Sequence, residues 1–280
     1  MMKIGFIDYF LDNWHSKMYP GWIDEATNGE MKVTHAFALS EKEGMKPNAE
    51  WCREKGIELL GSIEAVIEAC DALVVLSPNN PEYHEELARL PLQSGKPVYI
   101  DKTFAPDRET AVRLFELAEK HGTPMYSSSA LRYAAEYADV EKAGIAAISC
   151  FGAGKFETYS IHQVEPIVQL MGTEAERVMW TGTDQSESML IGFSGGRQAE
   201  IHHYGDDCPF AMALKYDNGK NRMLKIESNF FGAFIQGLTE FFRTREVKLD
   251  KQETIAIAAI LENGRKAKET PYQWVELPKK

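Results

Sequence analysis

Asp71-Ala72-Leu73-Val74-Val75-Leu76-Ser77-Pro78-Asn79-Asn80-Pro81-Glu82-Tyr83-His84, followed after a helical stretch by Gly95-Lys96-Pro97-Val98-Tyr99-Ile100-Asp101-Lys102-Thr103, decides the fold. Each block carries a short, continuous apolar run without alternation, the pattern of a strand buried on both faces. Each run then ends in polar residues, Ser77-Pro78-Asn79 in one and Asp101-Lys102-Thr103 in the other. Buried strands joined through a helix run parallel, and open parallel sheets bind ligands beyond the carboxyl ends of their strands. The two polar tails therefore share one sheet edge, and a site is expected there.

The same alternation extends outward through the first half of the chain. Strands are expected at Lys3 to Asp8, Lys32 to Leu39, Ala72 to Ser77, Val98 to Ile100 and Met125 to Ser127, with helices near Asn48 to Lys55, Ser62 to Ala69, Pro81 to Gln93 and Asp107 to His121. Asp107 caps the last of these, and Ala111, Phe115 and Ala118 recur at helical spacing. Gly95-Lys96-Pro97 and Gly122-Thr123-Pro124 are matching stop signals. From about Ile145 strands follow one another instead: Ala146 to Phe151, Ala175 to Thr181, Ser188 to Phe193, Gln198 to Tyr204, Phe210 to Tyr216 and Met223 to Glu227. That run predicts a mostly antiparallel sheet, with Ser194-Gly195-Gly196-Arg197 as a hairpin connection. One helix carrying Ile161, Val164, Val168 and Met171 interrupts it, and two helices, Phe231 to Thr244 and Lys251 to Lys268, close it. The expected fold is α/β: a Rossmann-type doubly wound parallel sheet in residues 1–125, then an α+β domain with a large, mostly antiparallel open sheet in residues 126–280.

Composition bounds the function. A chain of 280 residues, 44% hydrophobic and 26% charged, is sized and composed for two globular cores. A formal charge of -11 disfavours nucleic acid and anionic lipid as partners. The first residues read directly into a strand and no apolar run approaches the ~20 residues of a bilayer span, so a cytoplasmic protein is expected. Cys52, Cys70, Cys150 and Cys208 stand too far apart for a thiolate metal site and fit reduced thiols.

At the two quoted blocks the chain resembles the glucose-fructose oxidoreductase and inositol dehydrogenase family (Gfo/Idh/MocA). That family shows Pro-Asn-x-x-His after its fourth strand, Glu-Lys-Pro after its fifth and a catalytic histidine on a helix early in its second domain. Here the first motif is two residues longer, from Pro78-Asn79 to His84, Asp101 replaces the Glu and Thr103 replaces the Pro. The resemblance implies an NAD- or NADP-dependent oxidoreductase of carbohydrate metabolism acting on a CH–OH group of a sugar, cyclitol or related polyol. It implies catalytic roles for Lys102 and His162, and substrate contacts from Lys102, Arg132, Tyr133, Thr158, Tyr159 and His162. Cofactor contacts fall on Ser77, Pro78, Asn79, His84, Asp101 and Lys102. The sheet of the second half is implied to pair with another copy, giving a homodimer or homotetramer.

Two departures weigh against a simple transfer. Thr158 stands where many members carry an Asp four residues before the histidine. The first strand, which should lead into GxGxxG so that backbone can approach a pyrophosphate, leads instead into Asp8-Tyr9-Phe10-Leu11-Asp12-Asn13-Trp14-His15, with no glycine. A dinucleotide there is expected to bind weakly and displaced, near Asp8, Phe10, Asn13, Trp14 and His15, with Ser40 at the end of the second strand. Ser40-Glu41 does not distinguish NAD from NADP.

The residues also admit plainer readings. A lysine just past a strand is ordinarily a solvated charge, a lone histidine on an amphipathic helix a satisfied core residue, and Arg132 half of an interdomain salt bridge. A metal site of His162, Glu165 and His202 or His203 has no diagnostic spacing, and none is assigned. Two other functions remain: a non-redox lyase or isomerase on a keto-sugar, and a non-catalytic sugar sensor.

Overall fold

The computed structural model describes residues 1–278, and the chain forms two compact units, neither continuous in sequence. Unit 1 is Met1–Ser128 with Gly232–Asp250; unit 2 is Ser129–Phe231 with the described chain from Lys251. No described helix is long and apolar enough to cross a membrane.

Unit 1 runs β1 (Met2–Asp8), α1 (Trp14–Ala26), β2 (Met31–Ala38), α2 (Asn48–Lys55), β3 (Glu58–Leu59), α3 (Ile63–Ala69), β4 (Ala72–Val75), α4 (His84–Ala88), β5 (Val98–Ile100), α5 (Arg108–Lys120) and β6 (Met125–Tyr126). The strands lie in the order β3-β2-β1-β4-β5-β6, all parallel. Ile4, Phe6 and Ile7 of β1, Leu73 to Val75 of β4 and Val98 to Ile100 of β5 are fully buried, as unbroken apolar runs require when both faces are covered. The order reverses between β1 and β4, and in such sheets the crevice for a ligand opens at this reversal. Asp107 caps α5 by accepting from the Thr110 N–H at 2.7 Å.

Three features of unit 1 differ from the sequence reading. Helix α1 goes unannounced because Pro20 sits inside it and aromatic residues crowd its first turns; Asn13 nucleates it through a reciprocal capping box with Ser16. The stretch Pro81 to Gln93 is not one helix but a short 3₁₀ turn at Pro81–Tyr83, α4, and a second such turn at Pro91–Gln93, since Pro91 cannot donate to the preceding turn. The helix α7 (Phe230–Thr244) lies late in sequence, yet Gly232–Asp250 clusters with unit 1. Phe234 packs on Tyr19 and Tyr99, and Phe241 on Tyr126.

Unit 2 contains β7 (Ile145–Gly152), α6 (Phe156–Met171), β8 (Ala175–Trp180), β9 (Ser188–Phe193), β10 (Gln198–His203), β11 (Ala211–Tyr216), β12 (Asn221–Lys225), α8 (Lys251–Lys268) and β13 (Trp274–Glu276). The sheet order is β12-β11-β7-β10-β9-β8-β13, antiparallel except where β10 runs parallel to β7. Gly195 and Gly196, at φ 72° and 76°, turn β9 into β10 in a conformation that side chains strain to adopt. Strand β12 begins two residues before the expected Met223 because Lys215 pairs with Asn221, closing the hairpin early. Side chains of α6 and α8, among them Val164, Ile167, Ile260 and Leu261, share one core with the inward residues Ile148, Ile201 and Leu214. The other face carries Ala147, Ser149, Glu200, His202 and Ala213, none of them fully buried.

Candidate functional site

In unit 1 the polar groups gather at the carboxyl ends of β1, β4 and β5. Lys102 follows β5, is only 7% exposed, and donates from Nζ to the Pro78 carbonyl after β4 at 2.9 Å. Burial lowers the pKa of its amine, with the Asp101 charge opposing. The peptide bond from Lys102 to Thr103 is cis. Asp101 is fully buried. One of its oxygens accepts from the Lys102 backbone N–H at 2.8 Å and from the Tyr99 hydroxyl at 3.4 Å, and the other meets Nδ1 of His15. Burial works against ionisation of this carboxyl, but the charges of His15 and Lys102 outweigh it and hold the pKa below the usual range. The solvated-charge reading of Lys102 therefore does not describe it: the amine is enclosed and directed.

The corner between β1 and α1 is filled from within. Asp8 is fully buried, accepts from the Tyr9 N–H at 2.7 Å and from Nδ2 of Asn13 at 2.8 Å, and burial pushes its pKa up to about 8 against these bonds. The Leu11 N–H is taken by Oδ1 of Asn48 at 2.9 Å, and the Ser16 N–H by Oδ1 of Asn13 at 3.1 Å. Tyr9 and Tyr83 stack with ring centroids 4.0 Å apart, bridging the loops that follow β1 and β4, the strands at which the sheet order reverses.

Other residues expected at a cofactor are distributed unevenly. Asn79 and Trp14 are exposed, Ser77 and Pro78 buried, and Phe10 carries Lys42 Nζ at 4.5 Å over its ring. Ser40 donates to the Glu41 carbonyl at 3.1 Å. His84 is fully buried, its Nδ1 faces the Phe104 carbonyl at 2.9 Å, and its Nε2 has no hydrogen-bond partner among the described residues. His15, read from sequence as a donor to a cofactor, spends Nδ1 on Asp101, with the Tyr19 hydroxyl at 3.2 Å. The signal for that pair was present as an aspartate past a strand and a histidine in a polar corner, but the helix joining them was not anticipated.

Unit 2 holds His162 on α6, half-buried, with Tyr159 and Phe210 edge-on to its ring. Nδ1 of His162 lies 2.7 Å from the hydroxyl of Ser129, and the Ser129 N–H donates to Glu165 at 2.6 Å. Thr158 and Tyr159 lie in the preceding turn of the same helix. Arg132 pairs with Glu253 at 2.5 Å and stands 3.6 Å from Glu165, so its ion pairs are internal to unit 2 rather than interdomain. Burial pushes the pKa of Glu165 up to about 7, against Arg132. His202 and His203 point to opposite faces as the strand period requires: His203 is buried with Nε2 3.0 Å from the Ser160 hydroxyl, while His202 stacks with Phe151 and Tyr204. Among the described residues no group of three or more His, Cys, Asp or Glu is placed to hold a metal ion. Sequence reasoning overlooked Ser129 and Glu253.

The raised carboxyl pKa values have a defined sign. An Asp8 whose folded value is about 8 against an ordinary 3.8 binds its proton more tightly in the folded state. Its contribution to stability is fully present below about pH 4 and is lost as pH rises through about 8; Glu165 acts likewise up to about 7. Carbon-13 NMR of the side-chain carboxyls is expected to show one aspartate titrating near pH 8, lost in Asp8→Asn, and one glutamate near pH 7. An Asp8 midpoint under pH 5 would refute the enclosed corner.

Comparison with known proteins places these features. The family described as "Oxidoreductase family, NAD-binding Rossmann fold" matches residues 25–128, so the match begins past the filled corner. Inositol 2-dehydrogenase of Corynebacterium glutamicum (strain R) is 26% identical over 118 residues, covering 41% of this chain and 34% of that protein, about a third of its length. The scyllo-inositol dehydrogenase of Lactobacillus casei, solved with NAD(H) and scyllo-inositol, superimposes with a TM-score of 0.78 at 14% identity over 98% of both chains. Biliverdin reductase from Synechocystis sp. PCC 6803, solved with biliverdin and NADP+, gives 0.72 at 13% identity over 95% of this chain and 98% of that one. At such identities the likeness is one of fold, and the fold serves unrelated substrates.

Proposed function

We propose that this chain, whose residues 25–128 match an NAD-binding Rossmann oxidoreductase family, is a member of the Gfo/Idh/MocA oxidoreductases and carries out the reversible oxidation of a CH–OH group on a sugar, cyclitol or related polyol, linked to NAD or NADP. The observation that carries the reading is the enclosed amine of Lys102, aimed by the Pro78 carbonyl and desolvated so that it trades a proton more readily than a surface lysine. A nicotinamide dinucleotide supplies or accepts the hydride in this chemistry. The chain's own part is to hold the hydroxyl and move its proton: the neutral amine of Lys102 takes it from the oxygen and the ammonium returns it, and His162 is a proposed contact to substrate from unit 2. Tyr133, Thr158 and Tyr159 are the proposed further contacts to the substrate. The corner between β1 and α1 does not fit a pyrophosphate, because its donors are committed to Asp8, Asn48 and Asn13; a dinucleotide is held elsewhere on this edge.

That filled corner also favours a second reading, a lyase or isomerase on a keto-sugar that needs no dinucleotide. Both are tested by screening sugars, cyclitols and their keto forms with NAD, with NADP and with neither. Turnover only with dinucleotide supports the dehydrogenase; turnover without it supports the second reading and removes the first.

The open face of the unit 2 sheet supports self-association. Ala147, Ser149, Gln198, Glu200, Ala213 and Lys215 line a shallow groove of about 340 Å³ on it, and small side chains there permit close approach of another sheet. A dimer or a dimer of dimers is expected by light scattering; a monomer at micromolar protein would remove this part of the proposal.

A further inference from the structure

The hydroxyl of Ser129 has one proton to give and, among the described residues, one place to give it. Ser129 is fully buried. Its Oγ accepts from the Leu131 N–H at 3.2 Å and lies 2.7 Å from Nδ1 of His162. If Nδ1 carried the ring proton, Oγ would accept twice and its own proton would point at no acceptor, an arrangement that buried hydroxyls avoid. If Nδ1 carries the lone pair, the serine hydroxyl is satisfied both ways: Leu131 donates to Oγ, and Oγ donates to Nδ1. The serine is also held rigidly, since its backbone N–H is tied to Glu165 at 2.6 Å, three residues beyond His162 on the same helix. Thr158, in the place of an aspartate, brings no carboxylate that would favour a proton on Nδ1.

We infer that Ser129 is a positioning residue that fixes neutral His162 as the tautomer protonated on Nε2. The ring then meets a substrate oxygen as a hydrogen-bond donor and takes no proton from it at Nε2. The inference rests on the proposed polyol reaction only for the identity of that oxygen; the tautomer follows from unit 2 alone. Of the two roles that the resemblance offers His162, proton acceptor or orienter of a hydroxyl, this tautomer selects the second: the ring donates to an oxygen and stabilises negative charge on it.

Long-range proton–nitrogen NMR of the full chain labelled with nitrogen-15 histidine reads the tautomer directly. The protein has seven histidines, and loss of one spin system in His162→Gln assigns the ring. At a pH where that ring is neutral, Nδ1 is expected at the unprotonated position and Nε2 at the protonated one. Ser129→Ala should move the tautomer ratio by roughly tenfold toward Nδ1–H, the scale of one buried hydrogen bond, and Ser129→Thr should restore it. A protonated Nδ1 in the wild type, or a ratio unmoved in a folded Ser129→Ala protein, overturns the inference. Should Ser129→Ala not fold, the wild-type and Ser129→Thr spectra decide the matter. The expected spectrum in a protein that turns over no polyol upholds the tautomer and counts against the reaction.

Discussion

Replacing Lys102 by methionine or alanine is expected to reduce turnover of a CH–OH substrate by roughly two or more orders of magnitude, the usual scale of a general acid–base group, while the fold persists. The argument begins with burial. An ammonium held away from water loses solvation, so the neutral amine exists at lower pH than for an exposed lysine. Asp101 resists this shift, being itself ionised, and supplies a fixed negative charge that steadies the ammonium formed when the proton arrives. The rate of alcohol oxidation should therefore rise with pH through the titration of Lys102, at a pH below that of an ordinary lysine, and the rise should vanish in Lys102→Met. Lys102→Arg is the informative control: it keeps a positive charge but cannot release a proton in the working range, so it should be nearly as slow as Lys102→Met. Activity retained in all three variants would place the proton acceptor elsewhere.

How much of this was legible in the sequence depends on whether the signal was local. The strands Ala72–Val75 and Val98–Ile100 announced themselves because a strand buried on both faces must be apolar throughout, and the polar residues just past them had to lie at one edge. Lys102 was found for that reason. Ser129 was not, because nothing in Ser127-Ser128-Ser129 distinguishes the serine that meets His162 from its neighbours; the contact spans 33 residues and exists only once α6 is packed. The pairing of His15 with Asp101 spans 86 residues and was missed on the same ground. Helix α7 joins the first unit although it follows the second sheet, because its apolar face, Phe234, Leu238 and Phe241 among them, meets aromatic residues of unit 1 that no local pattern reveals. The missing glycines were visible at once, but not what replaces them.

What replaces them sets the last expectation: wild-type protein binds NAD(H) and NADP(H) more weakly than micromolar, and Asp8→Gly tightens that binding by roughly tenfold or more. A glycine-rich turn works by leaving backbone N–H groups unpaired beside a dianion and by having no side chain in its way. Here the carboxyl of Asp8 already occupies donors of that turn, the Tyr9 N–H and Nδ2 of Asn13, and leaves neither to a bound phosphate. Removing it releases these two donors, and charge-assisted hydrogen bonds contribute about 1.5–3 kcal/mol each, so even one regained at half strength approaches tenfold in affinity. Space is the second obstacle. The Tyr9–Tyr83 stack spans the reversal between β1 and β4, so adding Tyr83→Ala to Asp8→Gly should tighten binding again, whereas Tyr83→Ala alone leaves Asp8 in place and should do little. Calorimetric titration of cofactor-stripped protein measures all four cases. Sub-micromolar binding by the wild type would mean that the glycine-free corner is no obstacle, and weaker binding in Asp8→Gly would mean that the carboxyl holds the ligand rather than replacing it.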